Sequence, residues 1–132
     1  DASGTNVTVT VDPIFQKLAG TNMVAGKSFR LDSATGQVGE GAPYSVMDPC
    51  MPLYIFRFYP NGVTKVDHGN TPGCITGVSE APYWFNPVTM AYNTIGTVPV
   101  MPDKAVEFTS DTTMKITYLY NGVTYKYYYK VI

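Results

Sequence analysis

Charge is scarce in this chain. Only 14 % of its 132 residues are Asp, Glu, Lys or Arg, and nine basic against ten acidic side chains leave a net charge of −1. The basic residues are dispersed, which argues against a nucleic-acid partner, because phosphate binding draws on clustered Lys and Arg. Histidine is reduced to His68, and cysteine to Cys50 and Cys74. These do not make a zinc set, and DSATGQVGEG lacks the regularly spaced carboxylates of a calcium loop, so no metal is expected. No apolar run approaches the ~20 residues of a membrane-crossing helix. The chain opens on DASGTNVTVTV without an apolar leader, and Asp1 is read as a processed or truncated start.

Catalytic patterns are equally thin. Asp67 precedes His68, but adjacent strand positions point to opposite faces, so Asp67 does not orient His68 as a triad would, and His68 reads as a surface turn residue. No carboxylate pair suggests a glycosidase, and no Walker or dinucleotide motif is present. The chain is expected to be non-enzymatic and to carry no cofactor.

What the chain does have is aromatics and punctuation. Tyr alone accounts for eleven residues, and ten prolines and twelve glycines break the sequence every few positions. That is the composition of an all-β protein with many turns, and the length suffices for one domain with a real core. Val7, Val9 and Val11 alternate with Thr8 and Thr10 as a strand with one apolar face. Asp12 then caps, and Pro13 opens, a short helix that Gly20 stops, with Ile14, Phe15 and Leu18 as its apolar face. A strand is expected over Gly26–Ser33, and Ala34–Pro52 reads as a long irregular loop. Leu53–Gly69 reads as a hairpin around Pro60-Asn61-Gly62, with Tyr54, Phe56 and Phe58 on one face and Ile55, Arg57 and Tyr59 on the other. Ala81–Asp103, interrupted by four prolines, reads as short strands and edge segments. Cys50 and Cys74 both lie in Pro/Gly-rich loops and are expected to form a disulfide worth ~3–4 kcal/mol, which places the protein in an oxidising, extracellular setting.

The C-terminal stretch YNGVTYKYYYKV carries the strongest signal. Asn121-Gly122 suits a two-residue type I′ turn, because both residues tolerate positive φ. The pairs are then Tyr120 with Val123, Tyr118 with Tyr125, Ile116 with Tyr127 and Met114 with Tyr129, all on one face. The other face carries Lys115, Thr117, Leu119, Thr124, Lys126 and Tyr128, so the first must point inward. Two readings of that inward face stay open. It is a packed core whose hydroxyls reach a barrel mouth, or it lines a partly polar ligand cup.

GKSFRLDS, the glycine-rich GQVGEG and LYIFRFYPNGVTKVDHG together resemble the lipocalin-like modules of secreted Bacteroidetes proteins, which often follow immunoglobulin-like PKD domains. The matching residues are Gly26, Lys27 and Phe29, then Gly36, Gly39 and Gly41, then Phe56, Phe58, Asn61 and Gly62. Phe29 stands where a Trp is common. The resemblance covers about residues 18–132 and implies a calycin-like antiparallel β-barrel at the cell surface, with no defined catalysis. A shorter similarity links NVTVTVDP to the donor strands of fimbrial subunits, which complete the sheet of a neighbour. Residues 1–12 are accordingly expected to be a donor strand or the remnant of a preceding domain, and residues 13–132 the barrel. A sandwich is the alternative architecture.

Two functions follow as expectations. The first is a secreted cell-surface module that binds a glycan or small amphiphilic ligand through Trp84, Tyr83, Tyr118, Tyr125, Tyr127 and Arg57, with Asn86 or Arg57 supplying hydrogen bonds to a glycan. Trp84 either stacks on a sugar from a loop or plugs one barrel end. The second is a structural subunit of an extracellular filament, or a domain attached to a larger surface protein, that pairs through Val7, Val9 and Val11.

Overall fold

The computed structural model describes residues 12–96 and 101–132. The expected assembly strand at Val7, Val9 and Val11 lies outside the described residues.

The described chain forms an antiparallel β-barrel with one short helix. Strands β1 (Lys27–Val38), β3 (Ile55–Phe58), β4 (Val63–Asp67), β5 (Val78–Asn86), β6 (Ala91–Thr94), β7 (Lys104–Phe108), β8 (Thr113–Tyr120) and β9 (Val123–Val131) follow one another around it in chain order. Pairing of β1 with β9 closes the ring, which removes exposed sheet edges. A two-residue strand β2 (Tyr44–Ser45) adds to β1 beside β3.

Helix α1 (Pro13–Ala19) starts where the sequence says it should. The Asp12 side chain accepts the Ile14 N–H at 2.7 Å, Pro13 opens the first turn and Gly20 ends it at φ 71°. Leu18 and Ala19 are fully buried, Phe15 rests against Tyr83 and Phe85, and the Lys17 ammonium lies over the Phe108 ring. Ile14 is instead exposed. The helix thus covers the end of the barrel where β1 begins and β3, β5 and β7 finish. A core of Phe29, Phe58, Phe85, Val106 and Met114 lies behind it.

At the other end, the Cys50–Cys74 disulfide joins the β1–β3 connection to the β4–β5 loop. It bridges residues 24 apart in sequence with a Cα separation of 5.7 Å.

Two expectations are corrected here. The segment from Ala34 is not wholly irregular, because β1 runs on to Val38. A register shift between Leu31 and Ser33 bends the strand, and both Ala34 and Gly36 are buried. They stand opposite Tyr127 and Tyr125 on β9, and a Cβ on Gly36 would come within 2.9 Å of the Tyr44 ring. The small residues that read as loop are the packing complement of tyrosines. Similarly, Pro82 does not end a strand but sits inside β5. Its carbonyl accepts the Ile95 N–H just past the end of β6, so its missing donor faces the side where the neighbouring strand has run out.

Candidate functional site

The terminal hairpin adopts the expected register: Tyr120 opposite Val123, Tyr118 opposite Tyr125, Ile116 opposite Tyr127 and Met114 opposite Tyr129. Its turn takes positive φ at both Asn121 (51°) and Gly122 (78°). Met114, Ile116 and Tyr129 are buried in the core, and Leu119 on the opposite face is exposed.

The inward face of this hairpin borders a cavity of about 340 Å³ inside the barrel, at the end away from the helix. The volume is at the lower end of the ~300–1,000 Å³ typical of small-molecule sites. Tyr118 and Tyr127 form part of its wall, with Ile116 and Tyr129 deeper. Phe56 and Phe58 from β3, and Thr64 and Val66 from β4, face them. Residues 79–81 of β5, Tyr92 and Thr94 of β6, and Lys104 of β7 complete the lining.

Aromatic edges hold this wall in place. Phe56 meets Tyr129 edge-on at 5.2 Å, and Phe58 meets Tyr92 at 5.6 Å. Tyr118 stacks on Tyr125 at 5.1 Å, and its hydroxyl lies 3.3 Å from that of Tyr127. The Thr64 hydroxyl is taken up by the Arg57 carbonyl at 2.9 Å. The hydroxyls of Tyr92 and Tyr129 are different. Each residue is 7 % exposed, and neither hydroxyl has a hydrogen-bond partner among the described residues. Yet no buried side-chain polar atom among those residues is left unsatisfied, so these hydroxyls open onto free space, and both residues line the cavity. Burial raises the pKa of Tyr92, Tyr118 and Tyr129, which keeps the phenols protonated and able to donate.

Lys104 brings a charge into this lining. It stands in register with the inward Tyr92, and its Nζ lies 5.6 Å from the Tyr92 ring centre and 5.4 Å from that of Tyr118. It donates to Asn93 Oδ1 at 3.2 Å. Burial lowers its pKa, partly opposed by the Asp103 carboxylate.

The residues expected to bind a ligand are not all together. Tyr118 and Tyr127 line the cavity, and Tyr125 backs Tyr118. Tyr83 is buried towards the helix end, its hydroxyl donated to the Tyr59 carbonyl at 2.8 Å. Trp84 neither plugs the barrel nor sits in a loop: it lies within β5, 38 % exposed, between the inward Tyr83 and Phe85. Arg57 faces outward and pairs with Asp67 at 3.6 Å, while Asn86 accepts the Val88 N–H within its own turn. His68 packs edge-on against Tyr54. Among the described residues, no group of three His, Cys, Asp or Glu side chains is placed to hold a metal, and no helix is long and apolar enough to cross a membrane.

Lys104, Tyr92, Phe56, Thr64 and Tyr129 are among the lining residues that sequence reasoning did not assign to the site. For Lys104 a signal existed, since it is in phase with Val106 and Phe108, whose alternation marks the inward face of β7.

No family model, no curated protein and no solved structure matches this chain, so the barrel and its lining carry the functional reading.

Proposed function

We propose that this protein is a non-enzymatic binding module that takes a small amphiphilic ligand into its barrel. The observation that carries this reading is the pair of deeply buried phenols, Tyr92 and Tyr129, whose hydroxyls open onto a cavity walled mainly by rings and aliphatic side chains. A dry packed core has no use for phenol hydroxyls that open onto a cavity, since Phe would fill such a core without the need for a hydrogen-bond partner. A ligand with an apolar body and a polar end matches both the apolar wall and these hydroxyls.

The amphiphile is favoured over a glycan by where the aromatics stand. Trp84 and Arg57 are on the outer wall and Tyr83 is buried, so they do not form one platform. The disulfide supports an extracellular site of action. The closed barrel with its short helix supports kinship with the lipocalin-like modules that the sequence resembles.

The test is titration with N-phenylnaphthylamine, a neutral dye that fluoresces in apolar surroundings. Saturable one-to-one binding, abolished by filling the cavity with Ile116→Trp, is the expected result. Absence of binding to a folded wild-type protein refutes the reading.

A further inference from the structure

We propose that the cavity selects amphiphiles bearing one carboxylate, and that Lys104 is the residue that recognises it, a deepening that rests on the binding function proposed above. Lys104 is placed inward by register with Tyr92, and its ammonium sits between the faces of Tyr92 and Tyr118. An ammonium has three N–H donors. Among the described residues its one hydrogen-bond acceptor is the neutral Asn93 Oδ1, and the only ion pairs are Arg57–Asp67 and Lys115–Glu107. Its neighbour Asp103 instead accepts a hydrogen bond from Asn93 Nδ2 at 3.0 Å. Glu80, the one carboxylate in the lining, stands at a position in register with Lys65, out of phase with the inward Ser79 and Ala81.

The half-buried ammonium feels the Asp103 carboxylate but makes no ion pair with it, so an incoming anion that reaches Nζ directly adds an interaction that the protein itself does not supply. The surrounding chemistry suits a carboxylate. Its second oxygen has phenol donors nearby, since the Tyr118 hydroxyl lies beside that of Tyr127 and Tyr118 also carries the Lys104 ammonium on its ring. Such charge-assisted hydrogen bonds are short and strong. Opposite this polar corner, Phe56, Phe58 and Ile116 offer an apolar wall for a chain or ring. The volume of about 340 Å³ limits the guest to one small molecule.

The experiment compares octanoate with octanol by calorimetry on the wild-type protein and on Lys104→Met, with N-phenylnaphthylamine as a neutral control. Octanoate is expected to bind the wild type about tenfold more tightly than octanol, and Lys104→Met to erase that advantage while retaining the dye. Equal binding of the two in the wild type, or an undiminished advantage in Lys104→Met, overturns the role of the charge and leaves the cavity function standing. If octanoate, octanol and dye all fail to bind, the cavity function falls and this proposal with it. Should Lys104→Met not fold, Lys104→Gln, which removes the charge but keeps a polar head, takes its place, with the same loss of the octanoate advantage expected and the same undiminished advantage overturning the role of Lys104.

Discussion

Tyr118 and Tyr127 stand on neighbouring strands with hydroxyls 3.3 Å apart, and both side chains line the barrel cavity. Their contact joins the terminal hairpin to the polar corner that contains Lys104. Tyr127→Phe removes one member of the pair without changing ring volume. We expect octanoate affinity to fall about three- to tenfold while N-phenylnaphthylamine binds as before, measured by calorimetry and dye titration. Equal losses for both ligands would mean that the substitution disturbs packing rather than polar recognition.

The register of this hairpin is legible in the amino-acid sequence, because Asn121-Gly122 fixes the turn and the turn fixes every pair beyond it. The helix is legible for a similar reason, with Asp12, Pro13 and Gly20 each acting locally. Trp84 is not. Tyr83-Trp84-Phe85 has no polar residue to mark the phase of the strand, so nothing in the triplet says that only its centre faces out. Lys104 is overlooked because a charged residue reads as external, although its phase with Val106 and Phe108 already places it on the inward face, where it stands opposite Tyr92. The far half of β1 escapes notice because Ala34 and Gly36 read as loop residues until the tyrosines they accommodate are known.

Two glycines separate backbone conformation from crowding. Gly39 has φ +53° and open space where a Cβ would be, so Gly39→Ala is expected to cost about 1 kcal/mol. Gly26 has φ +62°, but its Cβ would lie 2.7 Å from the Phe58 carbonyl oxygen. Gly26→Ala is therefore expected to cost at least ~2 kcal/mol more than Gly39→Ala, because the obstructing atom is backbone. Urea denaturation of the two variants checks the order.

The disulfide ties two loops at the end away from the helix. The double substitution Cys50→Ser, Cys74→Ser is expected to lower stability by ~2–4 kcal/mol in urea while leaving the barrel strands intact. Loss of all β-sheet circular dichroism in that variant at room temperature would show that the bridge holds up the whole barrel rather than this end.

Alkaline pH acts through the buried phenols. Burial raises the pKa of Tyr83, Tyr92, Tyr118 and Tyr129 above the ordinary 10.0. A phenol whose pKa is higher folded than unfolded stabilises the fold fully below pH 10, and that contribution is lost as pH rises from 10 towards the folded-state value. Lys104 works in the opposite sense. Its lowered folded-state pKa means that the fold gains stability as pH rises towards the ordinary 10.5. Burial lowers the pKa of Lys27 in the same way, and stability is expected to decline above pH 10, where the four phenols outweigh the two amines. Urea midpoints measured across this range, alongside ultraviolet titration of phenolate, check it: the buried Tyr83, Tyr92 and Tyr129 should ionise only together with unfolding. Free ionisation of all eleven tyrosines in the folded protein would contradict their burial.

The most direct test of the central claim is to locate a bound amphiphile. Isotope-edited NMR of the labelled protein with octanoate is expected to give intermolecular contacts from the ligand chain to the methyl groups of Ile116 and Val66, both in the cavity wall. Contacts confined to the outer wall around Trp84, with none to Ile116 or Val66, would contradict it.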